Sequence, residues 1–283
     1  MTGAGEDATP GRGPDRDGSA GILAGRAAAA PKVEPLRSAL LVSGDDEAQF
    51  ARAFACGADA VILDLASLRE PARPRRSQIV AAFARMAEAQ NPRPRLMARV
   101  NGLASGATDD DLDAVMPAAP SGIFLPGSLG AASVQQLGVK LAVREALFGL
   151  ADGATRIFAV ATDGARALFG LDGYRGASAR LEGLVWGADL LAKDIGAEGG
   201  RRRDGGHRGA CALARDLTLL AAAAAGVTPI DAAFADAGDL PGLRAESLAA
   251  RGDGFRAKLA LHPAQVPIIN AVFGAEPPAD PPR

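Results

Sequence analysis

Cysteine is scarce: the 283 residues contain two, Cys56 and Cys211, too few for a disulfide framework. Each sits in an apolar helical pattern, where a small buried thiol is the expectation. Long apolar runs are missing too, since no uninterrupted stretch approaches the ~18 residues that a membrane span requires. The opening residues, "MTGAGEDATPGRGPDRDGSAG", are acidic and rich in Gly and Pro, unlike the basic start and apolar middle of a signal peptide. A cytoplasmic protein without a membrane partner is the expectation. An excess of one charge is also lacking. Lys and Arg number 31 against 33 Asp and Glu, giving a formal net charge of −2. Both signs are interspersed, so electrostatics gives no reason to expect nucleic acid as a partner. A small-molecule ligand is the better default.

What is present suits one large core. Hydrophobic residues make up 48% and charged residues 23% of the chain, and single α/β barrels commonly reach this size. Residues 1–35 have too little periodic apolar surface to offset their ordering entropy and are expected to form a disordered tail. The Pro-rich "GAEPPADPPR" makes 275–283 an expected flexible end. Between them, β-like runs alternate with longer helical stretches: 38–42, 60–65, 95–100, 122–125, 156–161, 183–186, 228–231 and 257–261. The intervening "DDEAQFARAFACG" and "ARDLTLLAAAAAG" carry helix periodicity and stop at Gly57 and Gly226. Eight strands joined by helical crossovers predict a (β/α)8 barrel over residues 36–274. A doubly wound open sheet is the competing fold, but "VSGDDE" after the first strand has a single Gly and adds repelling acids, so it is no nucleotide loop.

Chemistry in such barrels gathers at the C-terminal strand ends. There the sequence places Asp64, Arg99, Asn101, Pro126, Thr162, Asp163, Asp189, Asp231 and His262. Arg99 is the most telling of these, because an arginine ending an apolar strand is costly to desolvate unless it meets an anion or a polarised oxygen. The plainer alternative is a rim ion pair between Arg99 and Asp64.

The series "RSALLVSGDDEAQFARAFACGADAVILDL", "ARVNG", "WGADLLAKDIGA", "ARDLTLLAAAAAGVTPID", "GLRAES" and "KLALHPAQV" resembles the citrate lyase β-subunit-like branch of the HpcH/HpaI aldolase family, from Arg37 to about Phe273. The resemblance implies a barrel of the phosphoenolpyruvate/pyruvate-domain type, usually a homotrimer or hexamer. Such a protein makes or breaks a carbon–carbon bond in a CoA thioester such as citryl-CoA or malyl-CoA, with an oxo acid as the second small molecule. Mg²⁺ holds the oxo-acid portion, and an arginine faces the oxygen where enolate charge accumulates. Arg99 falls on that arginine and is the expected catalytic residue. Asp64, Asn101, Thr162 and Lys258 join it as expected substrate-binding residues.

The metal positions depart from the pattern. Where the family resembles "IET" and "GAEDL", whose Glu and Asp hold the metal, this chain has Thr162 and Leu190. "DLASLR" replaces "DLEDAV", putting Ala66 and Ser67 at two acid positions, and "LPGSLG" replaces "LPKVES", putting Gly127 and Leu129 at a Lys and a Glu. Neighbouring Asp163 and Asp189 are left with two readings: displaced Mg²⁺ ligands after a small slip, or caps of the following helices. Strand alternation puts Thr162 toward the centre and Asp163 away from it. Lesser candidates also have structural alternatives. His262 is expected to be a buried, hydrogen-bonded histidine, and Asp231 and Asp239 are site or turn residues. Arg201, Arg202 and Arg203 sit in a loop that either meets the phosphates of CoA or is solvated. The alternative to a lyase is a catalytically degenerate relative that binds acyl-CoA or serves in assembly.

Overall fold

The structure, a computed structural model, describes residues 35–274 apart from 45, 47, 70, 71 and 204, together with Met1. But for Met1 and Pro35, the expected tails over 1–35 and 275–283 lie outside the described residues. The chain runs β1 (Ser38–Ser43), α1 (Ala48–Ala55), β2 (Ala60–Asp64), α2 (Arg76–Glu88), β3 (Arg95–Arg99), α3 (Thr108–Val115), β4 (Gly122–Leu125) and α4 (Ala131–Leu147). It continues through β5 (Arg156–Val160), α5 (Ala165–Leu168), β6 (Leu181–Val185), α6 (Asp189–Asp194), α7 (Gly209–Ala225), β7 (Thr228–Asp231), α8 (Leu240–Asp253), β8 (Ala257–Ala260) and α9 (Val266–Phe273). All eight expected strands are present. They pair in parallel and in chain order, and β8 returns to β1 through Ser38 opposite Lys258, closing the barrel.

Alternation along each strand divides the core into two layers. Ala39, Ala60, Ile62, Met97, Phe124, Phe158, Val185, Ile230 and Ala257 form one buried cluster, the filling of the barrel. Their strand neighbours, among them Leu40, Val61, Leu63, Ala98, Ile123, Ala159 and Leu184, pack outward against the helices. Phe158 is large for the inner layer, and glycines on the adjacent strands make room for it. A Cβ on either Gly122 or Gly183 would stand 2.7 Å from its ring. With that space free, Phe158 stacks on Phe124 with centroids 4.9 Å apart and planes 9° from parallel.

Helix ends follow the local chemistry. Gly226 adopts φ 68° and closes α7 in a left-handed cap. Asp239 caps α8, accepting from the Gly242 N–H at 2.8 Å, so its turn-and-cap reading holds. Cys211 is buried as expected, whereas Cys56 is half-buried and its thiol donates to the Ala53 carbonyl at 3.1 Å. Among the described residues no helix is long and apolar enough to cross a membrane.

Candidate functional site

A cavity of about 380 Å³ opens among the residues at the C-terminal ends of the strands. Its floor is the top of the inner layer: Leu41, Ile62, Phe124, Val160, Val185 and Leu259. Its polar wall is Arg99, Asp163, Asp189, Arg201 and His207, with Trp186 alongside.

Arg99 and Asp64 are register partners at the ends of β2 and β3, and both follow the inward phase of their strands. Arg99 Nε and Nη2 donate to the two Asp64 oxygens at 2.9 and 2.7 Å. Asp64 Oδ1 also accepts from the Ala66 and Ser67 N–H groups. The rim ion pair therefore exists, and it does not consume the arginine. Asp64 is buried, but the Arg99 side chain is 36% exposed and lines the cavity. One edge of the guanidinium fork is fixed, and its remaining donors are open to a ligand.

The strand-five turn reverses the sequence expectation. β5 ends at Val160, so alternation no longer governs the next residues. Thr162 is buried, with its hydroxyl accepting from the Gly187 N–H at 2.9 Å and lying 3.3 Å from the Gly187 carbonyl. It ties the β5 end to the β6 end and does not line the cavity. Asp163 does line it. Its Oδ2 accepts at 2.8 Å from the N–H of Gly127, a residue at φ 64° where glycine is at ease. Burial pushes the Asp163 carboxyl above its usual pKa, against the opposing pull of that N–H and of the Arg99 charge. Asp163 thus caps no helix. Asp189 begins α6 without a side-chain cap bond and stands exposed at the cavity edge beside Leu190.

Other sequence candidates are held away from the cavity. The Asn101 amide, backbone and side chain, donates to Asp111 Oδ2 at 2.8 and 2.7 Å. Lys258 lies on the outward phase of β8. It is fully buried, and its ammonium donates to Asp231 at 2.5 Å, to the Ala232 carbonyl at 2.7 Å and to Glu246 at 2.9 Å. Asp231 also accepts from the Trp186 indole N–H at 2.6 Å. His262 is exposed rather than buried; it caps the turn after β8, its Nδ1 accepting from the Ala264 N–H. Arg202 and Arg203 are exposed and do not line the cavity.

Two contributors were missed in the sequence. His207 forms an isolated antiparallel bridge with Arg201, and both residues line the cavity. The His207 ring meets Trp186 edge-on, with centroids 4.8 Å apart. Burial, followed by the nearby Arg201 charge, pushes its pKa below the ordinary 6.5. The available signals were rarity and place: the chain has two histidines and one tryptophan, and Trp186 directly follows the sixth strand.

Mg²⁺ takes near-octahedral oxygen coordination, usually through one or two ionised carboxylates together with substrate and water, and this wall offers few donors for it. Among the described residues no three His, Cys, Asp or Glu side chains converge. Asp64 is occupied by Arg99 and the Thr162 hydroxyl is engaged at Gly187, so Asp163 and Asp189 are the carboxylates left on the cavity wall. Two arginines, two aspartates and a histidine make up the polar wall.

Fold and site together define a (β/α)8 barrel with its polar groups at the strand C-termini. The chain belongs to the HpcH/HpaI aldolase/citrate lyase family, whose sequence profile matches residues 37–263. It is 31% identical over 239 residues to a citrate lyase subunit beta-like protein of Mycobacterium tuberculosis, covering 83% of this chain and 77% of that one. It is 30% identical over 249 residues to a (3S)-malyl-CoA thioesterase of Cereibacter sphaeroides, covering 88% and 80%. Among solved structures, the M. tuberculosis citrate lyase beta subunit complexed with oxaloacetate and magnesium superposes with a TM-score of 0.70 at 27% identity, over 86% of this chain and 99% of that one. The CitE protein of that organism with magnesium, acetoacetate and coenzyme A also gives 0.70 at 27% identity, over 86% and 83%.

Proposed function

We propose that the barrel mouth receives the acid end of a hydroxyacyl-CoA thioester of the citryl-CoA or malyl-CoA type, and that the protein cleaves or forms the carbon–carbon bond beside it. The observation that carries this reading is Arg99: an inward-facing guanidinium, oriented by Asp64 and open to the cavity along its other edge. Cleavage of such a bond leaves negative charge on the thioester oxygen. Fixed donors aimed at that oxygen are usually the largest single source of rate enhancement. Asp64 acts as the orienting partner, because a guanidinium held in a bidentate pair needs little reorganisation when charge develops. The apolar floor of Ile62, Phe124 and Val185 strengthens that interaction by excluding water. Relatives crystallised with magnesium, oxo acids and coenzyme A support the ligand class. No step is assigned to Mg²⁺ in this chain, where no group of three His, Cys, Asp or Glu that could hold a metal is found among the described residues. A cytoplasmic homotrimer or hexamer completes the reading, with the assembly checked by light scattering.

A second reading, acyl-CoA binding without turnover, is favoured by the same lack of convergent carboxylates among the described residues. One assay separates the two. Malyl-CoA and citryl-CoA are incubated with the protein, with and without Mg²⁺, and released acetyl-CoA and oxo acid are followed by mass spectrometry. Products lost in Arg99→Gln support the lyase. Bound thioester without products, with binding lost in the same variant, supports the binding protein. Neither binding nor turnover overturns both.

A further inference from the structure

Asp64, Asp189 and Asp163 differ in what their oxygens already hold. Both Asp64 oxygens accept from Arg99, while Asp189 is exposed and makes no cap bond at the head of α6. Asp163 is anchored on one side and free on the other. Its Oδ2 accepts from the Gly127 N–H at 2.8 Å, and that stretch of backbone is itself held, because Ser128 is fully buried and its Oγ accepts from the Tyr174 hydroxyl at 2.8 Å. The second oxygen, Oδ1, makes no hydrogen bond among the described residues and is not enclosed, so it opens on the cavity that its side chain lines. Nothing at Gly187 covers it. A Cβ at that wall position would stand 3.7 Å from Oδ1.

We propose that Asp163 is the general base of the barrel mouth: with Oδ2 pinned at Gly127, Oδ1 takes the proton of the substrate's hydroxyl, and the same carboxyl returns it to the carbon that cleavage leaves behind. This rests on the reading of the mouth as a hydroxyacyl-CoA lyase site and adds the proton path which that reading lacks. A guanidinium donates and does not accept, so Arg99 cannot take up the hydroxyl proton. As Asp163 removes it, the carbinol C–O becomes a carbonyl, and the electron pair of the broken carbon–carbon bond passes into the thioester to form an enolate at the Arg99 side. The protonated carboxyl then gives its proton to the enolate carbon, which completes acetyl-CoA and restores the carboxylate. The two carbons are bonded until cleavage, so one carboxyl serves both. No co-reactant is consumed. Burial raises the Asp163 carboxyl against the pull of the Gly127 N–H and of Arg99, and a carboxylate raised in this way is a stronger base than a solvated one.

The test follows malyl-CoA cleavage by acetyl-CoA release and malyl-CoA binding by calorimetry, for wild type, Asp163→Asn and Asp163→Glu, in EDTA and in Mg²⁺. Asparagine keeps the size of the side chain and an oxygen for the Gly127 N–H, but it has no basic oxygen. The expected result for Asp163→Asn is malyl-CoA still bound, KM little changed and kcat lower by about 10²–10⁴-fold, with part of the rate restored in Asp163→Glu. A second measurement isolates the carbon side. Acetyl-CoA is incubated in D₂O with the protein and the unreactive oxo-acid analogue oxamate, and mass spectrometry should show deuterium entering the methyl group with wild type and far more slowly with Asp163→Asn. Circular dichroism identifies a misfolded variant, in which case Asp163→Glu carries the comparison. An unchanged kcat in folded Asp163→Asn overturns the assignment and leaves the lyase reading standing. Turnover lost together with Mg²⁺ binding makes Asp163 a metal ligand and overturns it as well. Thioester bound by wild type with neither cleavage nor deuterium uptake overturns both the base and the lyase, and leaves the binding protein.

Discussion

Two acid–base pairs, each between register partners on adjacent strands, have opposite fates. Asp64 and Arg99 join β2 to β3, and Asp231 and Lys258 join β7 to β8. The first pair lies on the inward phase at the mouth and leaves the arginine 36% exposed. The second lies on the outward phase, where the lysine is 0% exposed and divided between two carboxylates and a carbonyl. A one-residue change of phase thus separates a charge that is able to meet a ligand from one that holds the wall together. The inner pair presents a guanidinium edge to the cavity. The outer pair, through Asp231 and the Trp186 indole, positions a ring that lines it.

The largest effect should come from breaking the outer pair. Lys258→Met leaves Asp231 and Glu246 without their shared cation, and a buried ion pair broken on one side costs about 3–5 kcal/mol. Urea denaturation should show that loss. If the midpoint is unchanged, the network does not support the wall. The inner pair should behave differently. Arg99→Lys keeps the charge but loses the two-pronged geometry, so thioester affinity should fall about tenfold or more while stability changes by about 1 kcal/mol or less, as befits a partly exposed pair. Equal effects on stability at the two sites would abolish the contrast.

Asp163 sharpens the comparison, because it lines the cavity without a direct cationic partner. Its carboxyl pKa is raised above the ordinary 3.8 by burial. A group raised in this way stabilises the fold below its unfolded value and loses that contribution as pH rises through the folded value. Asp163→Asn should therefore stabilise the protein at pH 7, by about 0.5–2 kcal/mol, with the gain fading toward pH 4 in thermal melts. A loss at pH 7 would contradict it. The smallest effect concerns His207, whose pKa is lowered from 6.5. Its contribution is present above the unfolded value and shrinks as pH falls through the folded one, so wild type should lose stability more steeply than His207→Phe below pH 6.5. Parallel curves would count against a buried neutral ring.

Much of this architecture was legible because strand periodicity and helix stops are local signals. "AVILDL" and "RLMARV" bear the alternation of barrel strands, and the family motifs flank them. Arg99 could be placed for the same reason: the phase of β3 fixes which way it points. Lys258 obeys the same rule: Ala257 and Leu259 occupy the inward positions, which leaves Lys258 on the outward face against Glu246. Thr162 and Asp163 went the other way because they lie beyond the last β5 residue, where a turn and the distant Gly127 N–H decide orientation. His207 was invisible for a related reason. Its place depends on a bridge to Arg201 and a contact with Trp186, neither of which has a sequence period.

The central claim is that this mouth binds the acid end of a hydroxyacyl-CoA thioester through Arg99, with no requirement for Mg²⁺. Calorimetry of malyl-CoA titrated into the protein in EDTA, repeated with Mg²⁺ present, tests it most directly. The account predicts saturable binding in EDTA, nearly unchanged by the metal and lost in Arg99→Gln. Heat that appears only with Mg²⁺, together with tight binding of Mg²⁺ alone that Asp163→Asn removes, would contradict it.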